Sequence, residues 1–316
     1  MNSSRDAFED AFMKNFIAVG LGVFIIYING IFVFAFFKNP VFYTDPRYIL
    51  YTHLVINDII MLFFSVTLHV LVYVAPLMNF ALCSVLLMLS ITCTKNSPLN
   101  LAGMALERYI AICKPLHHPQ LCSVNRTYIL IGLIWFLAFV PALTDIIIVL
   151  VNEPISIFSK SIMCYSNNIF SSNQQFMKMI IVESLYLSCV WMTLIFTYFK
   201  VLQAAKAATT DQASARKARN TILLHGLQLL LCMLTYITPS VNYFFLALFP
   251  KSRSTILFTS YLMSNVIPRL LSPLIYGVRD QKMFRYVRMY LTCCLFLTKV
   301  ESEIEERHYQ GQAKEC

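Results

Sequence analysis

The sequence predicts an all-α membrane protein. Its expected architecture is a bundle of seven transmembrane helices, N-terminus outside and C-terminus inside, with a short amphipathic helix after the seventh span. Three observations predict this. The 316 residues are 58% hydrophobic and only 13% charged, with a mean hydropathy of +0.65, whereas a soluble domain is about half apolar and about a quarter charged. Seven apolar runs reach the ~20 residues that a helix needs to cross a bilayer. Lysine and arginine are divided unequally between the two sets of connecting segments, the bias that orients membrane proteins.

The runs are long and continuous, which favours helices over the ~10-residue alternating segments of a membrane β-barrel. Phe16–Phe37 has no charged residue. Tyr48–Ala75 contains Asp58, Ala81–Leu106 contains Lys95, Thr127–Val151 contains Asp145 and Met179–Phe199 contains Glu183. Asn220–Phe249 again has none, and Ser254–Val278 contains Arg269. With the N-terminus outside, the inner segments carry 14 basic residues: Lys38, Arg47, Arg108, Lys114, Arg126, Lys200, Lys206, Arg216, Lys217, Arg219, Arg279, Lys282, Arg285 and Arg288. The outer side carries 6: Arg5, Lys14, Lys160, Lys178, Lys251 and Arg253. The +9 formal charge is therefore a membrane-face asymmetry, available to anionic lipid or an acidic partner, and not a nucleic-acid footprint. The chain divides into an extracellular N-terminus (1–15), a seven-span domain (16–279), a juxtamembrane amphipathic helix (280–292) and a cytoplasmic tail (293–316). The first span reads as a signal anchor without a cleavage site.

Of ten cysteines, Cys83 and Cys164 fall at outer positions, in an oxidising environment. A bridge would pin the long loop 152–177 over the bundle; the alternative is two free buried thiols. Cys93, Cys113, Cys122, Cys189 and Cys232 read as small core residues. Cys293 and Cys294 follow the basic amphipathic stretch Asp280–Leu291 and are candidate palmitoylation sites, the alternative being unmodified thiols. Asn2-Ser3-Ser4 is an outer glycosylation sequon. Residues from Val300 onward are acidic and polar, with the composition of a disordered tail.

The chemistry of enzymes is not visible here. The sequence has no Gly-rich phosphate loop, no nucleophile–base pair and no His/Cys cluster with metal-ligand spacing. No cofactor and no metal are expected. The six histidines are scattered, with His117 and His118 expected to be solvated in an inner loop.

The most informative segment is Met104-Ala-Leu-Glu107-Arg108-Tyr109-Ile-Ala-Ile-Cys113-Lys114-Pro115-Leu116. An arginine at a membrane edge is costly unless paired or in reach of water, and Glu107 is an adjacent partner. A breakable ion pair at the inner end of a helix is a switch, because its release frees a charged donor. The bland alternative is a snorkelling arginine that ends a helix.

Further segments join this one: Asn29-Gly30 in the first span, Leu54-Val55-Ile56-Asn57-Asp58 in the second, Lys217-Ala218 with Thr221 and His225 at the sixth, and Pro268-Arg269-Leu-Leu-Ser272-Pro273-Leu-Ile-Tyr276-Gly277 in the seventh. Together they resemble the rhodopsin-like G-protein-coupled receptors, and within these the odorant receptors, in the form common among fishes. The resemblance covers essentially the whole chain. Glu107 stands where odorant receptors usually have Asp, Ser272 where they usually have Asn, and the outer loop has one cysteine where many carry three.

The resemblance implies a receptor that binds a small-molecule odorant, activates a heterotrimeric G protein of the stimulatory olfactory type and raises cyclic AMP. It implies a plasma-membrane location, in sensory cilia of olfactory neurons. It also implies that Tyr198 and Tyr276 can hydrogen-bond near Arg108 once this leaves Glu107, and that the Lys206–Arg219 region, Lys217 included, meets the G protein. Interfacial anchoring is the alternative for both tyrosines. A non-olfactory chemoreceptor for a hormone or metabolite is the main alternative. A seven-span channel or transporter is a remoter one, because the isolated intramembrane charges do not line one continuous path.

Depth arithmetic at 1.5 Å per residue places Asp58 and Arg269 both ~15 Å above the inner face, with Ser97 at nearly that height. In many rhodopsin-like receptors the positions matching Asp58, Ser97 and Ser272 surround a sodium ion. Here Arg269 is expected beside Asp58 in the ion's stead, the alternative being that it reaches interior water, with Asn29, Asp58, Ser97, Arg269 and Ser272 forming a buried polar core. Lys95 lies ~18 Å below Cys83, at a depth shared with Glu183. Either these two form an ion pair, or Lys95 receives the anionic head group of a ligand. A cavity is expected between the outer halves of spans three, five, six and seven, where Ser90, Ile91, Thr94 and Lys95 share about one helical face and, with Glu183, are the candidate ligand-binding residues.

Overall fold

The structure, a computed structural model, describes residues 8–164, 169, 172–207, 226–227, 230, 237–238 and 241–292. Its long helices are α1 (Phe8–Lys38), α2 (Pro46–Val74), α3 (Phe80–Cys113), α4 (Val124–Asn152) and α5 (Asn173–Ala207). Residues 241–248 form α6, within the expected sixth span, most of which lies outside the described residues. The α7 segment runs from Arg253–Tyr261 through a π turn, Leu262–Val266, into Ile267–Arg279. Residues 281–292 form α8. Among the described residues, five helices are long and apolar enough to cross a membrane.

Local sequence explains the helix ends. Asp45 caps α2 by accepting from the Arg47 N–H at 3.0 Å, with Pro46 in the first turn where its missing N–H costs nothing. Asn79 Oδ1 accepts from the Ala81 and Leu82 N–H groups at the start of α3. Ser172 and Gln175 form a reciprocal capping box before α5, each side chain accepting from the other's backbone N–H at 3.2 Å. The helices overrun the apolar runs: α1 begins at Phe8, not Phe16, and α3 and α5 extend to Cys113 and Ala207. Hydropathy marks only the stretch that needs lipid, while caps and prolines set where the helix stops.

The bundle is centred on α3, which packs against α2, α4 and α5, while α1 packs on α2 and α7. Gly22 permits the close approach of α1 to α2, since a Cβ there would meet Val66 Cγ2 at 2.9 Å. Large side chains such as Phe16, Phe136 and Met192 point outward with 63–71% exposure, as lipid-facing surfaces do. At the outer end, a two-stranded pairing of Met78–Asn79 with Ser161–Ile162 and the Cys83–Cys164 disulfide, Cα–Cα 5.7 Å, fasten the outer loop to the start of α3. At the inner end, α8 buries Met283 and Val287 and packs Tyr286 on Phe42, ring centroids 5.4 Å apart. Arg285 and Arg288 are exposed, and the Lys282 ammonium lies 6.0 Å from the centre of the Phe42 ring. Asp280 starts that helix by accepting from the Met283 N–H at 3.1 Å. It also meets Tyr48 OH at 3.3 Å and Arg47 Nη1 at 3.5 Å, tying α8 to α2.

Candidate functional site

Three polar sites follow one another down the bundle. In the outer half, Lys95 on α3 forms an ion pair with Glu183 on α5, through Glu183 Oε1. The Lys95 side chain is nearly fully buried, and its Nζ lies 5.6 Å from the centre of the Tyr186 ring. An ammonium this deep is tolerated because an opposite charge and an aromatic face replace its water. Ser90, Ile91 and Thr94 are half-buried on the same helix, and the Thr94 hydroxyl donates to the Ser90 carbonyl at 2.9 Å. Pro98, one turn further on, has no N–H for the Thr94 carbonyl.

The second site lies at mid-depth. Arg269 on α7 places its Nε 3.4 Å from Asp58 Oδ1, both side chains being 2% exposed. Ser97 Oγ donates to the same oxygen at 3.3 Å, and Ser272 is also in hydrogen-bonding range of the carboxylate. Asn57 Nδ2 donates to Ser97 Oγ at 2.9 Å and to the Cys93 carbonyl at 3.0 Å, linking α2 to α3. Pro273 leaves the Arg269 carbonyl, four residues earlier, without its helical donor. Asn29 Nδ2 from α1 reaches that carbonyl at 3.4 Å and also its own helix at Ile25 O, 3.0 Å. One helix defect thus draws α1 into the polar core.

The third site is the inner end of α3. Arg108 Nε lies 3.4 Å from Glu107 Oε2, and Tyr109 packs edge-on against Phe196 of α5, ring centroids 5.4 Å apart. Tyr198 sits further along α5, 38% exposed and packed against Phe199. Glu107 is buried, with the Arg108 guanidinium as its neighbouring opposite charge. Asn2, Lys217, Cys293 and Cys294 lie outside the described residues, as does the side chain of Tyr276.

Sequence reasoning missed several residues. His118 is only partly solvated, its side chain 25% exposed: a proline-marked turn folds the chain back so that its Nε2 lies 3.1 Å from Glu107 Oε1. Cys189 is not a core residue but exposed on the bundle surface. Asn57 was visible as the neighbour of Asp58, yet its role comes from facing α3. On α4, Pro141 frees the Leu137 carbonyl, and the Tyr186 hydroxyl of α5 donates to it. Nearby, Lys178 pairs with Asp145 at 2.5 Å and donates to the Pro141 carbonyl at 2.7 Å. Asp145 was legible as an isolated charge, its α5 partner was not. Trp135 Nε1 donates to His53 Nε2 at 2.8 Å between α4 and α2.

The sequence matches the family described as "7 transmembrane receptor (rhodopsin family)" over residues 28–276. It is 31% identical over 299 residues to Odorant receptor 131-2 of Danio rerio, covering 91% of this chain and 88% of that protein. It is 26% identical over 213 residues to Olfactory receptor 13J1 of Homo sapiens, 65% of each chain. A shorter similarity, 30% over 140 residues, covers 43% of this chain and 26% of the Octopamine receptor of Bombyx mori. The match takes in the inner Glu107–Arg108 pair, the mid-depth Asp58–Arg269 pair and the disulfide-bearing start of α3, so the chain belongs to the rhodopsin family of seven-transmembrane receptors and is not an enzyme.

Proposed function

We propose that this chain is an odorant receptor. It binds small organic ligands in the outer half of the bundle, beneath the disulfide-pinned loop, and activates a stimulatory olfactory-type G protein to raise cyclic AMP. The observation that carries the reading is similarity to a zebrafish odorant receptor over nine-tenths of the chain. The buried acid–arginine pair at the inner end of α3, where a receptor of this family meets its G protein, agrees with it.

The mechanism is a population shift between two arrangements of the bundle. In the resting form Glu107 holds Arg108. Ligand favours a form with an inner cleft, where Arg108 leaves Glu107, Tyr198 and Tyr276 supply hydrogen bonds near it, and the segment that includes Lys217 contacts the G protein. Lys95 and Glu183 floor the ligand cavity as a structural ion pair, and Ser90, Ile91 and Thr94 line its wall. Opening that pair for an acidic ligand would require the ligand's own anion to replace Glu183 on Lys95. The Asp58–Arg269 pair occupies the place of a bound sodium ion, and Asn29, Ser97 and Ser272 hold it there. The receptor resides in the plasma membrane of olfactory sensory cilia, with Asn2 glycosylated outside and Cys293 and Cys294 palmitoylated inside.

The test is a cyclic AMP reporter in cells co-expressing the olfactory G protein, screened with acidic, neutral and amine odorants. Wild type responds to some of them and surface-expressed Arg108→Ala to none. A wild-type response that persists in Arg108→Ala, or silence of surface-expressed wild type across the panel, contradicts the reading.

A further inference from the structure

Glu183 spends only one of its two oxygens on Lys95. Oε1 takes the ammonium, while Oε2 is buried and, among the described residues, receives no hydrogen bond. An ionised carboxylate offers about four acceptor sites on its two oxygens, and a buried acceptor without a donor is costly. The hydroxyls that flank the pair in sequence cannot supply one. Thr94, beside Lys95, donates its single proton to the Ser90 carbonyl, and Tyr186, one turn after Glu183, donates its own to the Leu137 carbonyl. Pro98 removes a further donor, since it has no N–H to offer the Thr94 carbonyl. This part of the outer half of the bundle is therefore rich in acceptors and short of donors.

The Glu183 side chain is 27% exposed, so a molecule that enters the bundle can reach the acid. Three kinds of polar head group would meet it differently. A carboxylate has no proton to give. It would have to displace Glu183 from Lys95 and leave that acid without its counter-charge. An ammonium can donate to Oε2, but both oxygens belong to one carboxyl group, so the newcomer would stand close to the Lys95 ammonium. Like charges repel strongly where water is excluded. A neutral hydroxyl donates to Oε2, carries no charge against Lys95 and leaves the ion pair closed. The Lys95 ammonium stays between Glu183 Oε1 and the face of Tyr186, 5.6 Å from the ring centre.

We propose that Glu183 Oε2 is the polar anchor of the ligand site and that it selects alcohols. The ligand is a neutral molecule whose hydroxyl donates to Oε2 while its apolar body lies among the outer halves of the helices. Lys95 acts as a positioning residue: it holds the carboxylate ionised and aimed, and it does not bind the ligand itself. A hydrogen bond to a charged acceptor is worth about ten- to hundredfold in affinity. A site built to receive a hydroxyl discriminates against the analogue that lacks one, because the acceptor is then left buried and unserved.

The proposal rests on the receptor reading above, and its test separates the two. Cells expressing the receptor and the olfactory G protein are exposed to hexyl, octyl, decyl and phenethyl alcohols, and to the amine, the carboxylic acid and the methyl ether of each. Wild type responds to at least one alcohol at a concentration about ten- to hundredfold below that of its ether, and its amine and acid act no better than the ether. In surface-expressed Lys95→Met with Glu183→Met, which removes both charges together, the advantage of alcohol over ether falls below about twofold. Alcohol and ether of equal potency in wild type overturn the proposal, as does an acid or an amine more potent than the alcohol. So does an alcohol preference that survives in the double variant. Silence of surface-expressed wild type toward the whole panel contradicts the reading of its signalling. The subsite is then decided on purified receptor without G protein: each alcohol raises the Tm more than its ether does in wild type and not in the double variant, and equal shifts in wild type overturn the proposal.

Discussion

Arg269 and Asp58 meet at mid-membrane, Nε to Oδ1 3.4 Å, each with only 2% of its side chain exposed. Neither charge is tolerable there alone. Removing one partner of a buried pair costs about 3–5 kcal/mol because the other is left uncompensated, whereas replacing both with apolar or neutral groups is often close to neutral. Asp58→Asn and Arg269→Met are therefore each expected to lose most surface expression, and the double substitution to regain it. Because the guanidinium stands beside the carboxylate, ligand responses of wild type are expected to be the same in sodium and in choline medium. A sodium-dependent wild-type response that Asp58→Asn abolishes would show that an ion, not Arg269, serves Asp58.

Lys95 and Glu183 allow a charge-exchange test. Lys95→Glu or Glu183→Lys alone places two like charges at one depth and is expected to retain the receptor inside the cell. The combination Lys95→Glu with Glu183→Lys restores the pair and surface expression, read by flow cytometry. An unaffected Lys95→Ala receptor contradicts both the structural and the ligand-binding role of this lysine.

Tyr186 completes a helix that Pro141 leaves incomplete. Its hydroxyl donates to the Leu137 carbonyl, which the proline four residues on cannot serve. Tyr186→Phe leaves that carbonyl unsatisfied next to lipid, at a cost of about 1–3 kcal/mol, and lowers the Tm of purified receptor. Pro141→Ala restores an N–H, so Tyr186→Phe in that background is expected to cost much less. Equal losses in both backgrounds would mean the hydroxyl serves something other than the proline defect.

Cys122 reports on Glu107 from the loop side. Burial first, and the nearby Glu107 charge second, push its thiol up from the ordinary cysteine value, with Arg126 pulling the other way. Less thiolate is present at neutral pH than in an ordinary cysteine, and the thiolate is the reactive form. Removing the Glu107 charge lowers that value and increases thiolate. In inverted vesicles from a receptor with its other inner-face cysteines changed to serine, iodoacetamide labelling of Cys122 is expected to be faster in Glu107→Gln than in the parent at pH 7.5. Equal or slower labelling contradicts the stated influence of Glu107.

Much of this architecture follows from one-dimensional patterns. Apolar runs mark the spans, and counting along a helix at 1.5 Å per residue levels Asp58 with Arg269 and Lys95 with Glu183. What was not legible depends on neighbours that only folding supplies. His118 read as solvated because nothing in Pro115–Pro119 states that the turn closes on Glu107. Asn57, Trp135 and His53 are polar residues inside apolar runs whose partners lie on other helices. The links from Asn29 to the Arg269 carbonyl and from Tyr186 to the Leu137 carbonyl join a proline's missing donor to a distant side chain. The proline is visible in sequence, but the helix that answers it is not.

The central claim is that Glu107 restrains Arg108 and that its release sends the signal. Its most direct test is ligand-free cyclic AMP in cells expressing equal surface amounts of wild type, Glu107→Gln and Glu107→Gln with Arg108→Ala. Losing the restraint of a charged pair worth about 1–2 kcal/mol shifts the equilibrium by roughly five- to thirtyfold. Basal cyclic AMP is therefore expected to rise severalfold in Glu107→Gln and to fall back to the level of untransfected cells when Arg108→Ala is added. Wild-type basal activity in Glu107→Gln, or elevated activity that survives Arg108→Ala, would contradict the account.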